Sequence, residues 1–195
     1  KPRAALMDPE TLVFLFLIAA FATLVIPIGV SLGDGVAWAL SDLSTSGLTF
    51  TNSPVRESIP LPILVLPSLI GGSALSAAGG VKIARLIVLG RRADQEFRQL
   101  GYRRSVLGFR FRDRDLDERS VIGVWVYLIA YIVAVFVMMI GFSFLSLPFE
   151  ETIRLSIGGL TNSGALLLGH TDNLDGGTTG LLILSMLLGR LEILA

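Results

Sequence analysis

The chain contains no cysteine, which excludes disulfides, thiolate catalysis and cysteine-based zinc sites. It also lacks any imbalance of charge. Sixteen Lys and Arg are matched by sixteen Asp and Glu, and the pI is near 6.8, so no global field points to nucleic acid or to an acidic partner. No cleavable-signal pattern opens the sequence, because the first apolar run is too long for a signal core and no small-residue cleavage site with a soluble domain comes after it. Charge itself is scarce, at 16% of residues. What takes its place is hydrophobicity: 52% of the 195 residues and a mean hydropathy of +0.72, far more than a soluble domain of this size needs. The composition is that of a membrane protein.

A spanning helix takes roughly 20 apolar residues. Thr11 to Ser31, with Pro27 near its end, and Val121 to Leu145 both meet that requirement. Pro60 to Leu89 is long but interrupted by "GGSALSAAGG", whose glycine and serine density predicts a broken helix. Thr178 to Ala195 is just long enough to span, and the sequence stops inside it, which suggests a fragment. The stretch from Arg91 to Arg119 holds nine arginines against six acids, Lys82 and Arg85 lead into it, and Lys1 and Arg3 lie at the other end. The positive-inside rule puts that stretch and the N-terminus in the cytoplasm, the stretch as a solvated connector or as a contact for anionic lipid or a partner protein. The turns containing Gly47 and Gly164 then face outward.

Those turns belong to an internal repeat. A gapless shift of 117 residues lays Leu43 on Leu160, Ser46 on Ser163, Gly47 on Gly164, Leu64 on Leu181, Ser68 on Ser185 and Gly72 on Gly189. It also lays the first spanning run on the second. Each unit reads as a spanning helix, a short half-helix, a Thr/Asn-Ser-Gly turn and a returning helix. The half-helices, "GVAWALSDL" and "FEETIRLSIGGL", are too short to cross a bilayer and too apolar to lie free in water. They read as re-entrant pore helices, entering and leaving the membrane on one side. Irregular backbone at membrane depth is tolerated where it is buried in protein or lines a wet path. An extended Ser-Gly segment there can aim carbonyl oxygens at one axis and replace the hydration shell of a cation, with glycine permitting the backbone to turn inward and the negative helix ends nearby. The competing reading makes Gly47 and Gly164 ordinary helix C-caps.

"GGSALSAAGGVKIARLIVL" resembles the glycine-rich inner-helix segment of the Trk/Ktr/HKT superfamily of cation transporters, and "MLLGRLEILA" is similar to the Gly-Arg-Leu-Glu run in the last inner helix of its TrkH-type members. The resemblance covers nearly the whole chain. It implies an all-α membrane protein of repeated outer helix, pore helix with filter strand, and inner helix. This chain would supply the third and fourth of four units around one pore: residues 4–90, a cytoplasmic charged loop at 91–119, and residues 120–195. Thr45, Ser46, Gly47, Asn162, Ser163 and Gly164 would line a selectivity filter that binds K+, with no transition-metal site. The loop carrying Gly71, Gly72, Ser73, Ser76, Gly79 and Gly80 would gate it, and Arg190 would project below the filter as an electrostatic barrier. The resemblance further implies K+ as the transported ion, no cofactor within the chain, a bacterial inner (plasma) membrane location, a homodimer, and docking of a cytoplasmic regulatory nucleotide-binding subunit.

Bland readings stand beside these. Small residues at 71–80 also let helices pack closely. An arginine in an apolar span costs at least ~2.5–3.5 kcal/mol at the bilayer centre, but near a helix end it can snorkel to the interface; Glu192, two positions on, points elsewhere around the helix. Ser163 with His170, the sole histidine, could form an intramembrane hydrolase dyad if the two came within hydrogen-bond reach. The repeated turn at Ser46 has no matching histidine, which favours placing His170 in an outer loop, where Asp172 and Asp175 would enrich cations. Three classes of function therefore stand: potassium uptake, a serine hydrolase, and a non-conducting scaffold.

Overall fold

The computed structural model describes residues 8–48, 55–72, 79–101, 110–111, 114–115, 118–167 and 174–191. The first unit begins with α1, Pro9–Val25, started by Pro9 in the first helical position and finished by a 3-10 turn, Ile26–Ile28. Gly29, at φ 92, ends that turn. Helix α2, Leu32–Leu43, comes next, its first turn capped by Ser31, whose hydroxyl accepts from the Asp34 backbone N–H. A short α3, Val55–Ser58, leads to α4, Leu61–Ile70, and then to α5, Ile83–Gly101. Beyond a two-residue antiparallel ladder of β1, Arg110–Phe111, with β2, Arg114–Asp115, the second unit repeats the plan. It comprises α6, Glu118–Phe144, α7, Phe149–Thr161, a single turn α8, Gly164–Leu167, and α9, Gly176–Leu191.

Among the described residues, two apolar helical spans are long enough to cross a membrane: Pro9–Ile28, 20 residues at mean hydropathy 2.7, and Ile122–Phe144, 23 residues at 2.5. Only 17% and 11% of these windows are buried within the protein. The apolar side chains point outward instead, with Phe16, Val126, Ile129, Phe136 and Phe144 exposed on the two helices. A soluble protein hides such residues, so the surrounding solvent for α1 and α6 is lipid. By contrast α2, with 12 residues, and α7, with 13, reach only about 18–20 Å at 1.5 Å per residue, short of a hydrocarbon core of about 30 Å.

The half-helices are the inner layer. Helix α2 packs on α1 and α4, while α7 packs on α6, α9, α4 and α8. One apolar cluster joins Val25 of α1, Leu43 of α2 and Leu64 of α4 to Ile157 of α7 and Leu166 of α8, so it crosses from unit to unit. The other gathers Phe142, Leu155, Leu160 and Leu182 with Val81. From Thr152 to Thr161 α7 is buried almost throughout, which makes it the axis on which the described residues are assembled.

The inner helix of the first unit is broken between α4 and α5. The chain leaves α4 at Ile70 and rejoins the line at Val81, whose N–H donates to the Leu69 carbonyl at 2.9 Å, with Lys82 to Ile70 at 2.9 Å and Ile83 to Gly72 at 3.1 Å beside it. The chain thus leaves and rejoins the helix line at points joined by backbone hydrogen bonds, an excursion at 71–80 of which residues 71–72 and 79–80 are described. Two features differ from the sequence reading. Helix α5 runs on to Gly101, into the stretch read as a connector at 91–119, because good helix formers continue and Arg92 pairs with Glu96 one turn on at 2.9 Å. The first span also ends in the Ile26–Ile28 turn, three residues short of Ser31, because Pro27 withholds an N–H and its ring clashes with the preceding turn.

Candidate functional site

The two turns after α2 and α7 are closed by the same backbone bonds. Thr45 N–H donates to the Asp42 carbonyl at 3.2 Å, and Ser46 N–H to the Ser41 carbonyl at 3.2 Å. In the second unit Asn162 N–H donates to Gly159 at 3.1 Å and Ser163 N–H to Gly158 at 3.0 Å. All four partners are related by the 117-residue shift. This pair of bonds is the Schellman closure of a helix C-terminus, which needs one residue in the left-handed region. Thr45, at φ 50, and Asn162, at φ 52, supply it.

This corrects the competing reading that made Gly47 and Gly164 the helix C-caps. The left-handed residue that closes each half-helix is not glycine but the position two before it, and a β-branched Thr held there is an outlier that only the surrounding structure sustains. Gly47 is left-handed as well, at φ 69, but Gly164 is not. There the expected extended run gives way to α8, with Leu166 N–H donating to the Ser163 carbonyl at 3.2 Å. The cause is burial, since Ala165, Leu166 and Leu167 are all apolar and packed inside.

The structure brings both turns together. A Cβ placed on Gly47 would lie 3.3 Å from Gly164 Cα and 3.1 Å from the Ala165 nitrogen, while one placed on Gly164 would lie 4.0 Å from Gly47 Cα. The two glycines face each other, backbone to backbone. Beneath them, Ser68 of α4 donates to the Ser163 hydroxyl at 3.2 Å in a fully buried contact, and the Asn162 amide donates to the Met186 carbonyl of α9 at 3.2 Å. Helices α2 and α7 both end here, so their negative poles converge on the same region.

The glycine excursion lies against this base. A Cβ on Gly79 would collide with the Thr161 carbonyl, and one on Gly189 of α9 with the Leu160 carbonyl. Gly71, at φ 72, and Gly80, at φ 89, hold left-handed conformations and crowd the opposite limbs of the excursion. The Tyr127 hydroxyl of α6 donates to the Gly80 carbonyl at 3.5 Å, and the Arg85 guanidinium sits 3.7 Å above the Tyr127 ring. Gly72 is buried beside Gly71, whereas Ser73 and Ser76 lie outside the described residues, as do His170, Asp172 and Glu192. Arg190 succeeds Gly189 in the last turn of α9 and is exposed. Asp175 caps the start of α9, its carbonyl accepting from Thr179 at 2.9 Å.

One pair was passed over in the sequence. Asp42, at the end of α2, is wholly buried, and Arg56 of α3 grips it with both terminal nitrogens, Nη1 to Oδ1 at 3.2 Å, Nη2 to Oδ1 at 3.2 Å and Nη2 to Oδ2 at 3.1 Å. The available signal was an acid in an otherwise apolar half-helix, which is costly in a membrane and calls for a partner.

No family model matches the chain. It is similar to the Trk system potassium uptake protein TrkH of Escherichia coli, 31% identical over 158 residues that make up 79% of this chain and 32% of the relative. An uncharacterized cation transporter of Methanocaldococcus jannaschii is 26% identical over 194 residues, 93% of this chain and 39% of that one. The crystal structure of the potassium transporter TrkH from Vibrio parahaemolyticus superposes with a TM-score of 0.76 at 30% identity, covering 95% of this chain and 42% of the other. The chain thus spans about a third of the length of the curated relatives it matches. These relatives are named as potassium uptake proteins or cation transporters. Those names speak for transport and against the hydrolase reading of Ser163 and His170, and His170 lies outside the described residues. Sequence and backbone converge on one likeness, and the chain is similar over most of its length to the TrkH-type potassium transporters, with an all-α membrane fold.

Proposed function

We propose that these residues form two of the four units around a potassium-conducting path in a bacterial plasma membrane. The observation that carries the reading is the duplicated turn: two half-helices with the same Schellman closure at the same 117-residue spacing, their glycines in backbone contact. Two helix C-termini aimed at one region favour a cation there, and Thr45, Ser46, Gly47, Asn162, Ser163 and Gly164 line the selectivity filter. The names of the relatives support K+ as the cargo.

Below the filter, the excursion at 71–80 closes the path and Arg190 adds a positive barrier. The packing of Gly79 on Thr161 supports this, because it seats the excursion at the foot of the second turn. The N-terminus and the 91–119 stretch face the cytoplasm, where a regulatory nucleotide-binding subunit docks, and the transporter pairs as a homodimer. These last points rest on the family resemblance and on arginine placement.

The test is rubidium uptake into proteoliposomes holding the full-length protein that carries these residues, with sodium as competitor and any regulatory subunit supplied. Flux lost in Gly164→Ala and raised in Arg190→Ala supports both filter and barrier. No flux in any folded variant refutes transport and leaves the scaffold.

A further inference from the structure

The two turns share their backbone but not their anchorage. By the 117-residue shift, Asp42 corresponds to Gly159 and Arg56 to Asn173, so the buried ion pair of the first unit has no counterpart of the same chemistry in the second. There, anchorage comes from neutral contacts, Ser68 with Ser163 and Asn162 with the Met186 carbonyl. The Asp42 carboxylate sits five residues before Gly47 and Arg56 nine after it. Their contact ties together the two sides of the stretch that contains Thr45, Ser46 and Gly47.

We infer that the Asp42–Arg56 pair is a positioning clamp for the first filter strand, setting how far that strand can widen and therefore how well potassium is told from sodium. This rests on the filter reading above. The physical case has three parts. Asp42 is fully buried and its carboxylate is held by a forked guanidinium, a geometry that fixes direction as well as distance. Thr45 is held left-handed although it is β-branched, a strained conformation that persists only if something outside the turn holds it. Among the described residues, the side-chain hydrogen bonds that Ser44 makes in the turn are local, to the Ser41 carbonyl at 3.1 Å and to Ser46 Oγ at 3.0 Å. Neither ties the strand to α3. The clamp does, joining the end of α2 to that helix.

Arg56→Lys and Arg56→Gln test this in the full-length protein, made otherwise cysteine-free and carrying Leu48→Cys, an exposed position directly after Gly47. Two readouts are taken: the rate of Leu48→Cys modification by a charged methanethiosulfonate, and the ratio of rubidium to sodium uptake. The clamp predicts modification several-fold faster in both variants. It also predicts a rubidium preference reduced by roughly tenfold in Arg56→Gln, the equivalent of losing one charge-assisted hydrogen bond, with Arg56→Lys in between. A merely structural pair would lower protein yield and leave the ratio alone, and that result overturns the inference. Unchanged modification rates overturn it as well, whether or not ions flow. Faster modification with an unchanged ratio refutes the filter reading instead, because the strand would then be clamped without selecting ions.

Discussion

Gly47→Ala and Gly123→Ala make the same chemical change in two settings and are expected to have opposite signs. At Gly47 the backbone is left-handed, φ 69, which costs an alanine about 1–2 kcal/mol. Its Cβ would also press at 3.1–3.3 Å on the main chain of Gly164 and Ala165. That neighbour is backbone pinned by α7 and α8, so it cannot swing aside, and overpacking of this kind adds about 1–3 kcal/mol. The sum is a loss of about 2–5 kcal/mol. Gly123 lies within α6 with nothing within 4 Å of its Cβ, so alanine there gains roughly 0.5–1 kcal/mol of helix propensity. The assay is the thermal midpoint of each full-length variant in detergent at one scan rate, since unfolding of such proteins is commonly irreversible, alongside rubidium uptake. Gly47→Ala should melt well below wild type and lose flux, and Gly123→Ala should melt at or slightly above it. Equal midpoints for the two variants would refute the argued contact between the turns.

The spans were legible because lipid imposes a length, and the half-helices because they fell short of it; both emerge from hydropathy runs in the sequence alone. The repeat was legible too, since Ser46, Gly47 and their counterparts recur without a gap. What the sequence hid was which residue turns. Glycine is the usual left-handed residue, but the Schellman closure fixes that residue by where the helix stops, and α2 and α7 stop at Leu43 and Thr161. That leaves Thr45 and Asn162 to adopt it against the propensity of Thr. The turn α8 was hidden for a related reason, because "GALL" is read as filter or helix only once its burial against α7 is known. The Asp42–Arg56 pair was out of reach of any local pattern. Its partners are 14 residues apart across a turn, and a helical spacing rule sees no further than four.

The same geometry sets three further outcomes. Thr45→Gly removes a strained left-handed Thr and should raise the thermal midpoint, by about 1 kcal/mol of stability, whereas Asn162→Gly should gain less because Asn tolerates that region and its amide bond to Met186 is lost; melting of both variants side by side checks the order. Ser68→Ala leaves the buried Ser163 hydroxyl without its donor and should cost about 1 kcal/mol, while Ser68→Ala with Ser163→Ala should cost less than the two single changes added, which a double-mutant cycle measures. Gly79→Ala is the severest. Its Cβ would meet the carbonyl oxygen, carbonyl carbon and Cα of Thr161 at once, and because Thr161 is the last residue of the buried α7, the chain at 79 must withdraw. Withdrawal moves the excursion off the foot of the filter, so Gly79→Ala should change rubidium flux even where the filter is intact. A variant that folds, carries wild-type flux and keeps its sodium competition would show that the excursion does not gate, and close helix packing would then account for its glycines.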